Sequence, residues 1–161
     1  MKILIACYSW KGHTRTVAQA LAKKLGASLV DIEPQGSPSP VSGGIKALLG
    51  LKGNIRSVGP DMKDFDHLVI ATPVWSHNIP PYTRQYLSGL PNSPGKKFSV
   101  LIEMGGSGAE RVTAIVRKMM EAKGMEFVAS AVTLEKEVDA KQFDTKLTEF
   151  VEKIQSSQKN R

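Results

Sequence analysis

The sequence predicts an α/β fold in which a parallel sheet carries helices on both faces. Three observations predict it. Short apolar runs of strand length recur along the chain, amphipathic stretches of helix length separate them, and the size is that of one domain. The 161 residues are 41% hydrophobic and 23% charged, a composition that supports a buried core and excludes a disordered chain. Strand, helix, strand repeated in this way implies parallel pairing with right-handed crossovers.

The elements follow in order. Lys2 to Cys7 is an unbroken apolar run suited to a strand buried on both faces. Thr14 to Leu25 reads as a helix with Val17, Ala18, Leu21 and Leu25 on one face, and Gly26 stops it. Ser28 to Glu33 is a second strand, and His67 to Thr72 a third that Pro73 ends. Pro81 to Leu87 is a short helix, because proline is tolerated in a first turn. Phe98 to Met104 is the fourth strand. Ala109 to Ala122 then carries the stripe Val112, Ile115, Val116, Met119 and Met120, and Gly124 closes it. Glu126 to Leu134 is the fifth strand, and Phe143, Leu147, Phe150, Val151 and Ile154 mark a last helix. Helical spacing assigns the methionine pair and the phenylalanine stripe to core packing.

One stretch interrupts the alternation. Residues 34–66 are rich in Gly, Pro and Ser, with a short helical candidate at Gly44 to Leu49. From Val41 to Pro60 the only charged residues are Lys46, Lys52 and Arg56. Such an excursion is either a mobile surface segment or the cover of a site. Residues 1–154 are expected to form one domain and residues 155–161 a polar tail.

Twenty-two Lys and Arg against 15 Asp and Glu give a net charge of +7. The charge is scattered, no basic run exceeds two residues, and no aromatic-basic surface run suggests nucleic-acid binding. A solvated surface is therefore expected, with no nucleic-acid partner. The longest apolar runs, Ile3 to Cys7 and Leu68 to Ala71, are too short to cross a bilayer or to serve as a signal peptide, so no membrane insertion is expected. A lone cysteine, Cys7, points to a reducing, cytoplasmic compartment.

In an open parallel sheet, ligands bind beyond the carboxyl ends of the strands where the winding reverses. The loops after strands one, three and four therefore form a set. Tyr8-Ser9-Trp10-Lys11-Gly12-His13-Thr14 leads into a helix N-terminus, where backbone N–H groups and the helix dipole favour an anion. This is a phosphate cradle or a plain turn capped by Thr14. It contains no G-x-x-x-x-G-K-[ST] or G-x-G-x-x-G motif. Nor is it a cysteine-phosphatase loop, since His13 stands six residues after Cys7 where an arginine is required, and Cys7 reads as a buried strand residue. Thr72-Pro73-Val74-Trp75-Ser76-His77-Asn78-Ile79-Pro80-Pro81 is a stiff loop presenting an aromatic that either stacks on a planar ligand or packs beneath the loop. Gly105-Gly106-Ser107-Gly108 lets backbone amides approach a ligand edge.

In these residues the chain resembles the flavodoxin family. The anchors are Tyr8-Ser9-x-x-Gly12-x-Thr14 and Thr72-Pro73-Val74-Trp75, each at a strand end, and the similarity runs from Lys2 to about Ile154. The resemblance implies a doubly wound three-layer sandwich with a five-stranded parallel sheet in the order 2-1-3-4-5, and FMN as cofactor. It implies that Ser9, Trp10, Lys11, Gly12, His13 and Thr14 hold the phosphate, and that Thr72, Pro73, Val74 and Trp75 flank the isoalloxazine. Gly105, Gly106 and Ser107 would meet the pyrimidine edge. Three departures stand out: Lys11 replaces a common hydroxyl residue, the third loop lacks the usual covering aromatic, and the chain is basic where flavodoxins are acidic.

The implied function is that of an FMN-binding redox protein. It is either an electron carrier with a redox partner protein or a small flavin-dependent reductase passing electrons from NAD(P)H to a quinone or similar acceptor. No catalytic side chain is named, because the flavin carries the chemistry. The alternative, suggested by Lys11 and the basic excursion, is a flavodoxin-fold binding module that does not retain FMN. His77 and the Val41 to Pro60 segment are candidates for substrate or partner contact.

Overall fold

The computed structural model describes residues 1–57 and 59–157. Its strands are β1 (Ile3–Cys7), β2 (Ser28–Asp31), β3 (His67–Pro73), β4 (Lys97–Met104) and β5 (Glu126–Leu134). They pair in parallel in the order 2-1-3-4-5, the order expected. Every position of β1 and β3 is buried, which is why both read as continuous apolar runs rather than as alternations.

The helices are α1 (His13–Leu25), α2 (Pro40–Leu48), α3 (Pro81–Gly89), α4 (Ala109–Glu121), α5 (Glu135–Asp139) and α6 (Asp144–Ser156). Successive strand residues point to opposite faces, so the sheet has two cores. Leu4, Ala6 and Ile70 pack under α3 and α4, through Leu87, Val112 and Val116. Ile5, Cys7 and Val69 pack under α1 and α6, through Val17, Leu21 and Phe150. Met120 and Phe150 are buried, as the helical spacing required. Gly26 ends α1 with φ of 60°, a left-handed cap that suits glycine.

Three local features differ from expectation. β2 ends at Asp31, two residues early, and Ile32 donates its N–H to the Cys7 carbonyl at 2.7 Å as the chain leaves the sheet. α2 begins at Pro40 rather than Gly44, with Ser39 at its N-cap accepting from the Ser42 N–H at 3.5 Å. Its first turn escaped the sequence reading because the residues it buries, Gly43 and Ala47, are small. α5 and a 3-10 turn at Met62–Asp64 are too short and too polar to show a period.

The excursion between β2 and β3 is tied to the body. Its ends pair between Pro34 and Ile55, and Gln35 and Arg56 donate backbone N–H groups across it at 2.9 Å. Gly43 lies so close to the Trp75 ring that a methyl group there would collide with it, and one at Gly53 would come within 2.6 Å of Tyr82. The excursion is therefore packed on the body rather than held away from it. The expected polar tail begins inside α6, and Gln158–Arg161 lie outside the described residues.

Candidate functional site

The loops after β1, β3 and β4 meet at the carboxyl edge of the sheet. In the first, Tyr8 donates its N–H to the Ala71 carbonyl at 3.0 Å, holding the start of the loop against β3. Ser9 Oγ accepts the Gly12 N–H at 3.1 Å and tightens the turn. Gly12 is the N-cap of α1 with φ of 96°, a conformation that favours glycine. No side chain caps this helix, and no atom lies within 4 Å of where a Cβ on Gly12 would stand. An uncapped N-terminus beneath open space is a place for an anion, since first-turn N–H groups and the positive end of the dipole face it.

Thr14 is not the cap that the plain-turn reading required, because α1 begins one residue before it. Its hydroxyl turns inward and donates to Glu103 Oε2 at 3.2 Å. Glu103 stands next to the last position of β4 beneath α1, buried, on the face that also holds Cys7. Burial pushes its carboxyl above the usual range, and the Thr14 hydrogen bond works against that shift. The group therefore favours the neutral form more than an exposed carboxyl does. Two acids of α5 engage Lys11 and His13 of the loop. Lys11 Nζ lies 3.8 Å from Glu135 Oε1, and His13 Nε2 lies 2.9 Å from Asp139 Oδ1. Cys7 is buried, and burial, with the nearby Asp31 charge, pushes its thiol up to about 12. That removes it as a nucleophile.

The second loop presents its turn more than its strand end. Thr72 and Pro73 are buried, and Thr72 Oγ1 lies 3.0 Å from Thr83 Oγ1. Trp75 and Asn78 exchange backbone hydrogen bonds at 2.9 and 2.8 Å. Between them, Ser76 and His77 take φ of 49° and 57°. A two-residue hairpin with both central residues left-handed usually carries Asn-Gly, so this tip stores strain. Arg84 Nη2 donates to Asn78 Oδ1 at 2.8 Å and holds the base of the turn. The Trp75 indole is half-buried, edge-on to Tyr8 at 5.7 Å and to Trp10 at 5.9 Å, with Gly43 of α2 against it. It packs beneath the loop, while exposed Trp10 and the turn Ser76-His77 form the outer rim.

The third loop exposes Gly105, Gly106 and Ser107. Ser107 Oγ lies 3.1 Å from His77 Nε2, which ties the loop to the tip of the second. Gly108 caps α4 with φ of 104°, and a Cβ there would stand 2.9 Å from Val74 Cγ1 and 3.2 Å from His77 Cα. Glycine is required at this point by close approach as well as by φ.

The structure thus brings the three loops to one rim. Ser9 to His13 and Gly105 to Ser107 are accessible there, whereas the side chains of Thr14, Thr72 and Pro73 support it from inside. Glu103, Arg84 and the acids of α5 were missed. The available signal for Glu103 was the single acid in the strand Phe98 to Met104, which when buried must find a partner or stay neutral. Arg84 and α5 left no such mark. Among the described residues, no group of three or more His, Cys, Asp or Glu is arranged to hold a metal ion. No helix among them is long and apolar enough to cross a membrane.

The site residues fit FMN at its charged end. The open space over Gly12 accommodates a phosphate, and the orphaned, buried Tyr8 hydroxyl beside Trp75 and Tyr82 marks a rim whose polar groups are not all matched within the chain. The family described as NADPH-dependent FMN reductase matches residues 1–139. No curated protein matches the chain. Among solved structures, a flavoprotein in complex with FMN from Lactobacillus acidophilus NCFM is 21% identical with a TM-score of 0.71, covering 86% of this chain and 97% of that one. A flavodoxin from Streptococcus pneumoniae TIGR4 is 14% identical with a TM-score of 0.63, covering 98% of this chain and 99% of its own. The azoreductase AzrA is 17% identical with a TM-score of 0.56, covering 94% and 93%. These likenesses show the fold.

Proposed function

The chain belongs to the NADPH-dependent FMN reductase family, an FMN-binding redox protein of flavodoxin-like fold, and we propose that it works as a reductase rather than as a dedicated carrier. Its donor is a nicotinamide nucleotide and its acceptor a small oxidant such as a quinone or free flavin. The observation that carries this reading is the third loop: Gly105, Gly106 and Ser107 are exposed and bring no aromatic to the rim. A ring held at this rim would receive no aromatic cover from the third loop, leaving room for a second planar molecule.

Each residue's part follows from its position. The N–H groups at the start of α1, with Ser9 holding the turn at Gly12, bind the phosphate. Glu103, whose carboxyl burial pushes above the usual range, accepts the Thr14 hydroxyl beneath the helix and fixes its first turn. The Val74 to His77 backbone, braced by Arg84 through Asn78, orients the ring, and Thr72 and Pro73 support the loop from inside. Trp75, pressed on Gly43, excludes water from the inner edge. Gly105 to Ser107, tied to His77, meet the pyrimidine edge. FMN bound there supplies two-electron transfer from nicotinamide to acceptor. No side chain is assigned a catalytic step. Residues 1–154 act as one domain, and the lone buried cysteine suits the reducing cytoplasm.

Steady-state NADPH oxidation tests the assignment. With FMN bound and a quinone or free flavin as acceptor, turnover without any added protein is expected. Absence of turnover in FMN-loaded protein, restored only by a partner protein, would assign a carrier instead.

A further inference from the structure

α2 is built inside out. Gly43 and Ala47 are buried on one side of it, while Val41, Ile45 and Leu48, spaced by four and three residues, form a stripe on the opposite side. Those three are 73%, 55% and 63% exposed, and Leu49 and Leu51 continue the patch at 64% and 49%. Met1 and Trp10 are the only other exposed large hydrophobics among the described residues. Scattered apolar side chains need no explanation, but five within eleven positions do. The small inward residues let the helix lie close on Trp75, and its large side chains stay exposed among the described residues.

The charge around the patch selects its occupant. No acid occurs from Val41 to Pro60. Arg56 is paired with Glu33 at 3.4 Å, whereas Lys46 and Lys52 make no ion pair among the described residues. A stripe of aliphatic side chains flanked by free lysines is the pattern of a helix lying in a lipid interface. A second copy of the chain would gather both lysines of each molecule, against a net charge of +7 on each. An acidic protein partner would satisfy the charge. The patch, however, lacks the Trp, Tyr and Arg anchors and most of the hydrogen-bonding groups on which protein interfaces depend.

We propose that α2 and the segment after it, through Val41, Ile45, Leu48, Leu49 and Leu51 with Lys46 and Lys52, seat the protein peripherally on an anionic lipid surface. The aliphatic stripe enters the headgroup boundary and the two lysines meet lipid phosphates. Because α2 packs on Trp75, the seated protein holds its rim beside the bilayer. The inference does not depend on the reductase reading.

Co-sedimentation with vesicles tests it, using phosphatidylcholine alone and phosphatidylcholine mixed with phosphatidylglycerol. Binding to the mixed vesicles is expected to exceed binding to the neutral ones by about tenfold or more, and to weaken with added salt. The double variant Ile45→Ser, Leu48→Ser should lose at least about tenfold in partitioning, and Lys46→Glu, Lys52→Glu a similar factor on anionic vesicles. All four residues are exposed, so circular dichroism and FMN titration should match the unaltered chain. Absence of vesicle binding by folded, FMN-binding protein would overturn the proposal. Equal binding to both vesicles would overturn it, and so would a dimer that the serine variant dissociates while vesicles bind nothing. Capture by poly-glutamate without capture by anionic vesicles would assign the patch to an acidic protein and likewise overturn it.

Discussion

α1 and α4 begin in the same way and for different reasons. Each has a glycine N-cap, Gly12 with φ of 96° and Gly108 with φ of 104°, and neither helix has a side-chain cap. Above Gly12 a Cβ would meet nothing within 4 Å, whereas at Gly108 it would run into Val74 and His77. The first terminus is left open, and under the proposed function it is where the phosphate would sit. The second is closed because another loop already does. Similar backbone geometry thus leaves open space at one point of the rim and packs a loop at another, and only the surroundings distinguish them.

Substitutions can break that distinction, and the largest effect belongs to the open end. Gly12→Ala strains the backbone by about 1–3 kcal/mol and intrudes on the anion space. FMN affinity should fall by about tenfold or more, read by quenching of flavin fluorescence, while riboflavin, which lacks the phosphate, should lose much less. Gly108→Ala should behave in the opposite sense. The strain and the 2.9 Å approach to Val74 cost about 2–3 kcal/mol, lowering Tm by about 5–10 °C, and both flavins should weaken together as the second loop shifts.

A smaller effect lies beneath the open end. Burial holds the Glu103 carboxyl above its ordinary range in the folded chain. A carboxyl raised on folding contributes stability that is full below its unfolded value and is lost as pH rises through the folded one. Glu103→Gln removes that loss. Denaturant melts across a pH series should therefore show the variant gaining on the unaltered chain as pH climbs above the ordinary carboxylate range. A constant difference would place the carboxyl's titration outside the folding equilibrium. The smallest effect is expected at the closed end, where His77→Ala removes one exposed 3.1 Å hydrogen bond to Ser107. Tm should drop by at most about 3 °C, with FMN affinity nearly unchanged.

Much of this was legible in the sequence, and the reasons are physical. β1 and β3 are buried on both faces and so announce themselves as apolar runs, and α4 and α6 bury one stripe each and so show a period. The glycines and the strand-end loops located the rim. What escaped was whatever depends on a neighbour distant in sequence. α5 is short and polar with one buried residue, Val138, yet it supplies Glu135 and Asp139 to the first loop. Thr14 read as part of an anion cradle or as a cap, and Glu103, 89 positions away, is what engages its hydroxyl. For Trp75 the sequence allowed stacking or packing beneath the loop, and the contact with Gly43 of α2 is invisible to it. α2 itself was half-read because its large residues point outward, the reverse of what periodicity assumes.

The central claim is that the terminus at Gly12 is a phosphate site for FMN. The measurement that meets it most directly is a parallel fluorescence titration of FMN and riboflavin with the purified chain. We expect stoichiometric quenching of FMN and at least about tenfold weaker binding of riboflavin, the difference being the phosphate held at the helix terminus. Equal affinity for the two flavins, or no uptake of FMN by folded protein, would contradict it.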